Sequence, residues 1–371
     1  MIPRMNSQAL MRARCLAQGR GVRHRACLNR ECSEFRRKDA DNIKPHGFYK
    51  TQRGRLRRYR CSGCDKTFGS TKGTVYYRLH HRKKTVDAVA DLSVRGLDQS
   101  SIARNQGISR TTVRGWMERC ARRAQRVNEA LIQDVPLIEL QADELRTFIG
   151  NKRNVTWILT TLEVWSRLWM AVLNGARSYR NLLRVMTETS ARGTFQGHLL
   201  VTTDGYEYYT PVIARTFGYA AVYGQVIKTR HNNRVTAVDR RLRIGTKSHL
   251  GDALLDSEDS NTLNTSFIER HNLTIRRGVA YLNRRTLSHA RQPEYLDDHL
   301  SLSRCYYNFI RTHMSLKVGT QKRTPAMQAG LLSRPLSFRE IFSISFALFL
   351  WRSFWKRILV VDPTYTCFCN T

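Results

Sequence analysis

From Val135 onward the sequence switches to short β-branched and aromatic runs, and that switch restricts the fold more than any other feature. "VPLIELQAD", "VTWILTTLEV" and "RLWMAVLNG" follow one another closely and read as an antiparallel meander. "YRNLLRVMTETSA" has helical spacing, "GHLLVTTDG" is a fourth strand, "YEYYTPVIARTFG" a helix and "YAAVYGQVIK" a fifth strand. The polar stretch from Thr236 to Thr265 fits neither period, and "SFIERHNLTIRRGVAYLNRRTLSHA" reads as one long helix. Alternating strands and helices predict an α/β domain over residues 132–315.

The segments upstream have different grammar. Cys27 and Cys32 form one knuckle and Cys61 and Cys64 a second, joined by "HGFYKTQRGRLRRYRC", which reads as two strands about the turn Gln52-Arg53-Gly54. So small a segment, 25–75, cannot fold on its own apolar area, and four thiolates in tetrahedral array suit Zn²⁺. The expectation is a zinc ribbon. Three helical blocks follow over 80–126, with Val86, Val89 and Leu92 on one face, Gly96 at a helix end, and the turn Gly107-Ile108-Ser109 before the third block. With Ser109 as N-cap, the third helix is expected to run through Arg122. It would present Arg110, Thr111, Thr112 and Arg114 to a DNA groove while Ile108, Val113 and Met117 pack inward, a helix-turn-helix arrangement.

Charge supports a phosphate-rich partner. Lys+Arg number 63 against 29 Asp+Glu, a net charge of +34. The first 126 residues hold 31 of those cations and only 9 of the acids, so the front third is the expected electrostatic docking surface for double-stranded DNA. Residues 1–24 read as a basic arm. No run of 18 apolar residues exists; "IFSISFALFLW" is too short to span a bilayer, and no membrane partner is expected. Nine cysteines, with no secretory apolar region before them, favour a reducing compartment, here the cytoplasm, and metal-bound thiolates.

Asp143 ends the first strand and Asp204 the fourth, while Glu269 sits early on the long helix with Asn272, Leu273 and Arg276 after it on the same face. Carboxylates gathered at one edge of a sheet repel by roughly 4 kcal/mol per pair at 4 Å and an effective dielectric of 20, so they require bound cations or protons. Hard oxygen ligands select Mg²⁺ or Mn²⁺, and such ions serve phosphodiester chemistry. Gly205 is expected to let the backbone turn away from that site. The element order (three strands, helix, strand, helix, strand, helix) is that of a ribonuclease-H-like domain.

These residues also carry a resemblance. "QADELRTFIGNKRNVTWILTTLEVWSRLW", "VTTDGYEYY" and "FIERHNLTIRR" with "LNRRT" resemble the three catalytic blocks of DDE-type transposases of the insertion-sequence-one family and its relatives. "RYRCSGCDKTF", the helix-turn-helix and "RTPAMQAGL" are similar to that family's N-terminal and C-terminal parts, so the likeness spans residues 25 to about 340. The resemblance implies that Asp143, Asp204 and Glu269 form the metal-binding triad. Arg270, His271, Asn272 and Arg276 would orient DNA phosphates or the neighbouring acid. It further implies strand cleavage and transfer at the terminal inverted repeats of a mobile element, by a homo-oligomer assembled on DNA in the bacterial nucleoid. Asp239, in "TAVDRR", is a rival for the second or third acid because it too follows an apolar segment. Two other functions fit the same residues: a DNA-binding regulator with a vestigial catalytic fold, and a nuclease that cleaves without joining. In the C-terminal segment, 316–371, the tail beyond Phe342 departs from the family's pattern, as an extension foreign to it would, and leaves open whether this copy is active.

Overall fold

Three antiparallel strands scaffold the four cysteines, of which Cys61 ends a strand while Cys27, Cys32 and Cys64 lie beside them. The computed structural model describes residues 25–37, 41–51, 54–195, 197–232, 234–257 and 261–344. The basic arm, the turn residues Gln52 and Arg53, and the tail beyond Ile344 lie outside the described residues. In the smaller of two units, residues 25–80, β1 (Ile43–Thr51) pairs with β2 (Gly54–Cys61), which pairs with β3 (Thr67–Gly69). Around the sulfurs it buries the cluster Cys27, Cys32, Ile43, Tyr59, Cys61 and Phe68, half of it cysteine, and Val75, Tyr76 and Leu79 are buried further along the chain.

The larger unit, His81–Phe342, begins with α1 (Lys83–Val94), α2 (Gln99–Gln106) and α3 (Arg110–Leu131). Local chemistry sets their ends. The Asp98 carboxylate accepts the backbone N–H groups of Ser100 and Ser101 at 2.9 and 3.1 Å, Gly107 closes α2 in the left-handed conformation, and Ser109 accepts Thr112 N–H at 3.1 Å. α3 runs nine residues past its expected end because Cys120, Ala124, Val127 and Leu131 extend its buried stripe.

The sheet follows: β4 (Glu139–Phe148), β5 (Val155–Glu163), β6 (Leu168–Gly175), α4 (Tyr179–Arg192), β7 (Leu199–Thr203), α5 (Tyr209–Phe217), β8 (Ala221–His231), β9 (Arg234–Ile244) and α6 (Lys247–Leu255). Its six strands lie in the order β9-β8-β7-β4-β5-β6. β4, β5 and β6 form the expected meander; β7 is parallel to β4, β8 parallel to β7, and β9 antiparallel to β8. The chain is thus mixed α/β.

Two helices follow, α7 (Ser266–Gly278) and α8 (Pro293–Phe309), and then a two-stranded hairpin (His313–Val318 with Gln321–Arg323) and short helices at Pro325–Gln328 and Phe338–Ser343. The single long helix expected from Ser266 to Ala290 is corrected to α7 plus a 3₁₀ turn at Ala280–Leu282. The chain leaves the helix where Gly278 passes the Val94 carbonyl, with room for a Cβ only 3.1 Å from that oxygen. Gly96 is fixed more tightly: its φ is +88°, and a Cβ there would lie 2.2 Å from the Arg277 carbonyl oxygen.

α3 lies along α8, where Asn128 donates to the Ser301 carbonyl at 3.1 Å and Arg114 pairs with Asp298 at 2.7 Å. His299 of α8 is 1% exposed and donates to the Ser93 carbonyl at the end of α1, at 2.9 Å. Burial pushes its imidazole down to about 4. Stability held by the neutral ring is therefore intact above the unfolded value near 6.5 and is lost as pH falls from there toward 4. His299→Gln keeps a donor but removes the titration. Between pH 6.5 and 5, wild-type unfolding free energy is expected to fall by about 1.5 kcal/mol relative to the variant. Denaturant titrations at the two pH values read this directly, and parallel pH profiles would contradict it.

Among the described residues, no helix is long and apolar enough to cross a membrane.

Candidate functional site

The parallel register of β4 and β7 brings two acids together. Ala142 pairs with Thr203, so Asp143 and Asp204 are the next residues on neighbouring strands pointing the same way along the sheet. Glu269, in the first turn of α7, completes the wall of a cavity of about 260 Å³ that Asp143, Asp204, Gly205, Val226, Ile227, Lys228, Thr265 and Glu269 line. The three acids singled out by sequence thus face one space. The rival Asp239 does not line it; Asp239 lies exposed on β9 with its carboxylate 2.6 Å from Arg241 Nε.

Gly205 has a reason other than a turn. Its φ is not in the left-handed region, but a Cβ there would come within 2.9 Å of Ile227 Cγ1 on β8. The glycine lets the β8 wall close over the end of β7.

Two further residues belong to the site. Glu144 follows Asp143, and carboxylate oxygens of Asp143, Glu144 and Asp204 all lie within 4.8 Å of one another. Arg177, in the loop after β6, donates to Glu144 Oε2 at 3.0 Å and to Asp204 Oδ2 at 3.3 Å. Its guanidinium stacks 3.6 Å over Tyr206, whose hydroxyl donates back to the Arg177 carbonyl at 2.9 Å. The only sequence signal for Glu144 is its adjacency to Asp143; Arg177 sits in a loop with no periodicity to mark it.

The remaining contacts hold the acids at fixed angles. Asp143 accepts from Asn272 Nδ2 at 2.7 Å and from the Glu144 backbone N–H at 2.8 Å. Asp204 accepts Tyr206 N–H at 3.0 Å, and Glu269 accepts from Lys228 and, at 2.8 Å, from the Thr265 hydroxyl.

Burial, reinforced by the charges of Asp204 and Glu269, pushes the Asp143 carboxyl up to about 6. Burial likewise pushes Glu144 up to about 7, with Arg177 opposing. The shifts record the cost of crowding carboxylates in a buried site, with Arg177 bound to two of them and Lys228 to Glu269. A divalent cation would relieve the same repulsion, and an all-oxygen donor set suits Mg²⁺ or Mn²⁺. Asn272→Ala is expected to weaken Mn²⁺ binding about 10- to 100-fold, as loss of a ligand-orienting partner does. Calorimetric titration with Mn²⁺ measures this; unchanged affinity would remove Asn272 from the supporting shell.

The second cluster is sulfur. Cys27 Sγ lies 3.7 Å from Cys64 Sγ and Cys32 Sγ 3.9 Å from Cys61 Sγ, with all four sulfurs within 4.8 Å of one another. A tetrahedron with metal–sulfur bonds of ~2.3 Å has edges of ~3.8 Å, so the cage already has the dimensions of a Cys₄ metal site. Burial drives the Cys27 thiol up to about 12, while the Lys66 backbone N–H draws Cys64 down to about 7.

The residues assigned to DNA divide. Ser109, Arg110 and Thr111 are exposed at the start of α3, and Thr112 is half-buried with its hydroxyl 2.8 Å from that of Ser109. Arg114 is corrected: its side chain is 17% exposed, held by Asp298, with its guanidinium 3.8 Å over Tyr295. It follows the buried Val113 and so turns toward α8. Arg270 is exposed and Arg276 half-buried, the latter donating to the Leu282 carbonyl at 3.4 Å. Asn272 orients the acid, as one of its two expected roles required. His271 is corrected: 2% exposed, it packs edge-on against Trp169 and Tyr307, each ring centroid 4.6 Å away, and burial drives it down to about 3. A neutral, enclosed imidazole holds no phosphate. Two positions beyond Glu269, it occupies the helix face turned to the sheet.

No protein-family model matches the chain, and no curated protein matches it in sequence.

Proposed function

We propose that the chain is a DNA transposase of the DDE type. The observation that carries the reading is the cavity that Asp143, from the middle of β4 and not its expected end, Asp204, just past the end of β7, and Glu269, in the first turn of α7, line together. A meander followed by strands parallel to its first member, with Asp143 within β4 level with Asp204 at the end of β7, is consistent with a ribonuclease-H-like core.

Asp143 and Asp204 are the pair best placed to share a divalent ion, with Glu269 opposite and Asn272 fixing the angle of Asp143. When bound, Mg²⁺ or Mn²⁺ supplies Lewis acidity that activates a water or 3′-hydroxyl and stabilises the departing oxygen of a phosphodiester. Arg177 holds Glu144 and Asp204 in place between the aromatic faces of Tyr206 and Trp157. Lys228 is within reach of a phosphate in the cavity once Glu269 is otherwise engaged.

Zn²⁺ is the ion that fits the four-cysteine cage, which makes residues 25–80 a zinc ribbon. Together with the exposed Ser109, Arg110 and Thr111 of the helix-turn-helix, it would grip the inverted repeats, with copies of the chain assembling on DNA in the bacterial nucleoid. The test incubates the full chain and Mn²⁺ with duplex carrying the DNA that flanks its gene. Strands cut and joined to a second duplex support transposition. Cleavage without joining would support the nuclease reading, and binding without cleavage the regulator reading.

A further inference from the structure

The free edge of the sheet is more than an edge. β8 pairs with β7 only over Ala221–Gln225, yet with β9 it continues to the pair His231↔Arg234. Beyond Gln225 the two strands therefore run on as a two-stranded ribbon, about 20 Å long for six residues at ~3.3 Å each. The base of this ribbon, Val226, Ile227 and Lys228, is a wall of the acidic cavity.

From Val226 to Arg240 the ribbon carries Lys228, Arg230, Arg234 and Arg240 against a single acid, Asp239, and Arg241 follows at its base, opposite Gln225. β9 is exposed from Arg234 through Arg241. Charge on an edge strand is ordinarily a guard against pairing with another sheet. A guarded edge has no use for exposed apolar side chains, yet Val235 and Val238 are 45% and 39% exposed on the same strand. Arg240 and Arg243 are tied to the fold, donating at 2.7 Å to the Leu263 carbonyl and to Gln225 Oε1 respectively. Arg234 and Arg241 stay on the surface, the latter paired only across two residues with Asp239.

We propose that this ribbon is a DNA-tracking arm: a duplex entering the acidic cavity lies along it, and Arg234 and Arg241 contact its phosphates. The proposal rests on the reading of the cavity as a DNA-processing site. A strand of B-DNA advances ~3.4 Å per phosphate, so the ribbon matches about six successive phosphates. The contact is to backbone, and hence indifferent to sequence.

The experiment measures binding of the full chain to a random-sequence duplex by fluorescence anisotropy between 50 and 200 mM salt. Arg234→Gln with Arg241→Gln is expected to reduce the slope of log affinity against log salt by about 1.8, at ~0.9 per lost phosphate contact. Over that fourfold salt range the variant's affinity then falls about twelvefold less than that of the wild type. Asp239→Asn, which removes the ribbon's acid, is expected to tighten binding, a gain that misfolding does not mimic. Wild-type slope and affinity in both variants would overturn the arm while leaving the cavity's assignment standing. Failure of the wild-type chain to bind any duplex would instead overturn the DNA-processing reading itself.

Discussion

Asp143→Asn is expected to abolish the proposed metal-dependent strand cleavage while leaving the larger unit folded. Asp143 lies at the level of Asp204 across a parallel strand pair, and burial plus two neighbouring negative charges already push it up to about 6. Neutralising it removes repulsion from the apo fold, and asparagine still offers an oxygen to Asn272. The substitution therefore costs little stability. What disappears is an anionic ligand whose metal contributes several kcal/mol to the transition state, which at 1.36 kcal/mol per decade is a loss of about a thousandfold or more. Single-turnover cleavage of an end duplex, alongside thermal unfolding of the same variant, separates the two effects. Cleavage within tenfold of wild type would show that Asp143 holds no catalytic ion.

If the cysteine cage holds a metal as proposed, removing it is expected to unfold residues 25–80. Against the sulfurs that unit packs only Ile43, Tyr59 and Phe68, and even with the buried Val75, Tyr76 and Leu79 a segment this small has little apolar area to offset the ordering of its chain. Bound Zn²⁺ contributes roughly 10–16 kcal/mol to such folds. Chelation, or Cys61→Ser, is expected to open the β1–β2 hairpin to proteolysis while the cavity and α3 stay protected, since those belong to the other unit. Digestion followed by mass spectrometry maps the cuts. Unchanged protection of Tyr59 and its strand in the metal-free protein would mean that the sulfurs are ordinary core.

How much of this was legible in the sequence depended on whether the signal was local. The β7 run Leu199–Thr203 is wholly buried, so its apolar residues and terminal Asp204 stand out. β9 is nearly all exposed, and a strand with no buried face carries no alternation; the stretch after Thr236 was unreadable for that reason. The overlong helix failed at a contact with Val94, more than 180 residues away in the chain, which no period records. Arg114 and His271 have the same origin: α3 and α7 were oriented from their own faces, without the partners Asp298, Trp169 and Tyr307. Glu144 and Arg177 join the site only through the β4–β7 register and the loop after β6. The four sulfurs, by contrast, were readable from spacing alone, because paired cysteines leave few alternatives in a segment that small.

Under the proposed function the carboxylates of Asp143 and Asp204 would hold a divalent ion in common. Anomalous scattering from crystals of the full chain equilibrated with Mn²⁺ tests it directly. A peak bridging those two carboxylates at roughly 2.1 Å is the result expected. Saturating Mn²⁺ with no density at either carboxylate would contradict it.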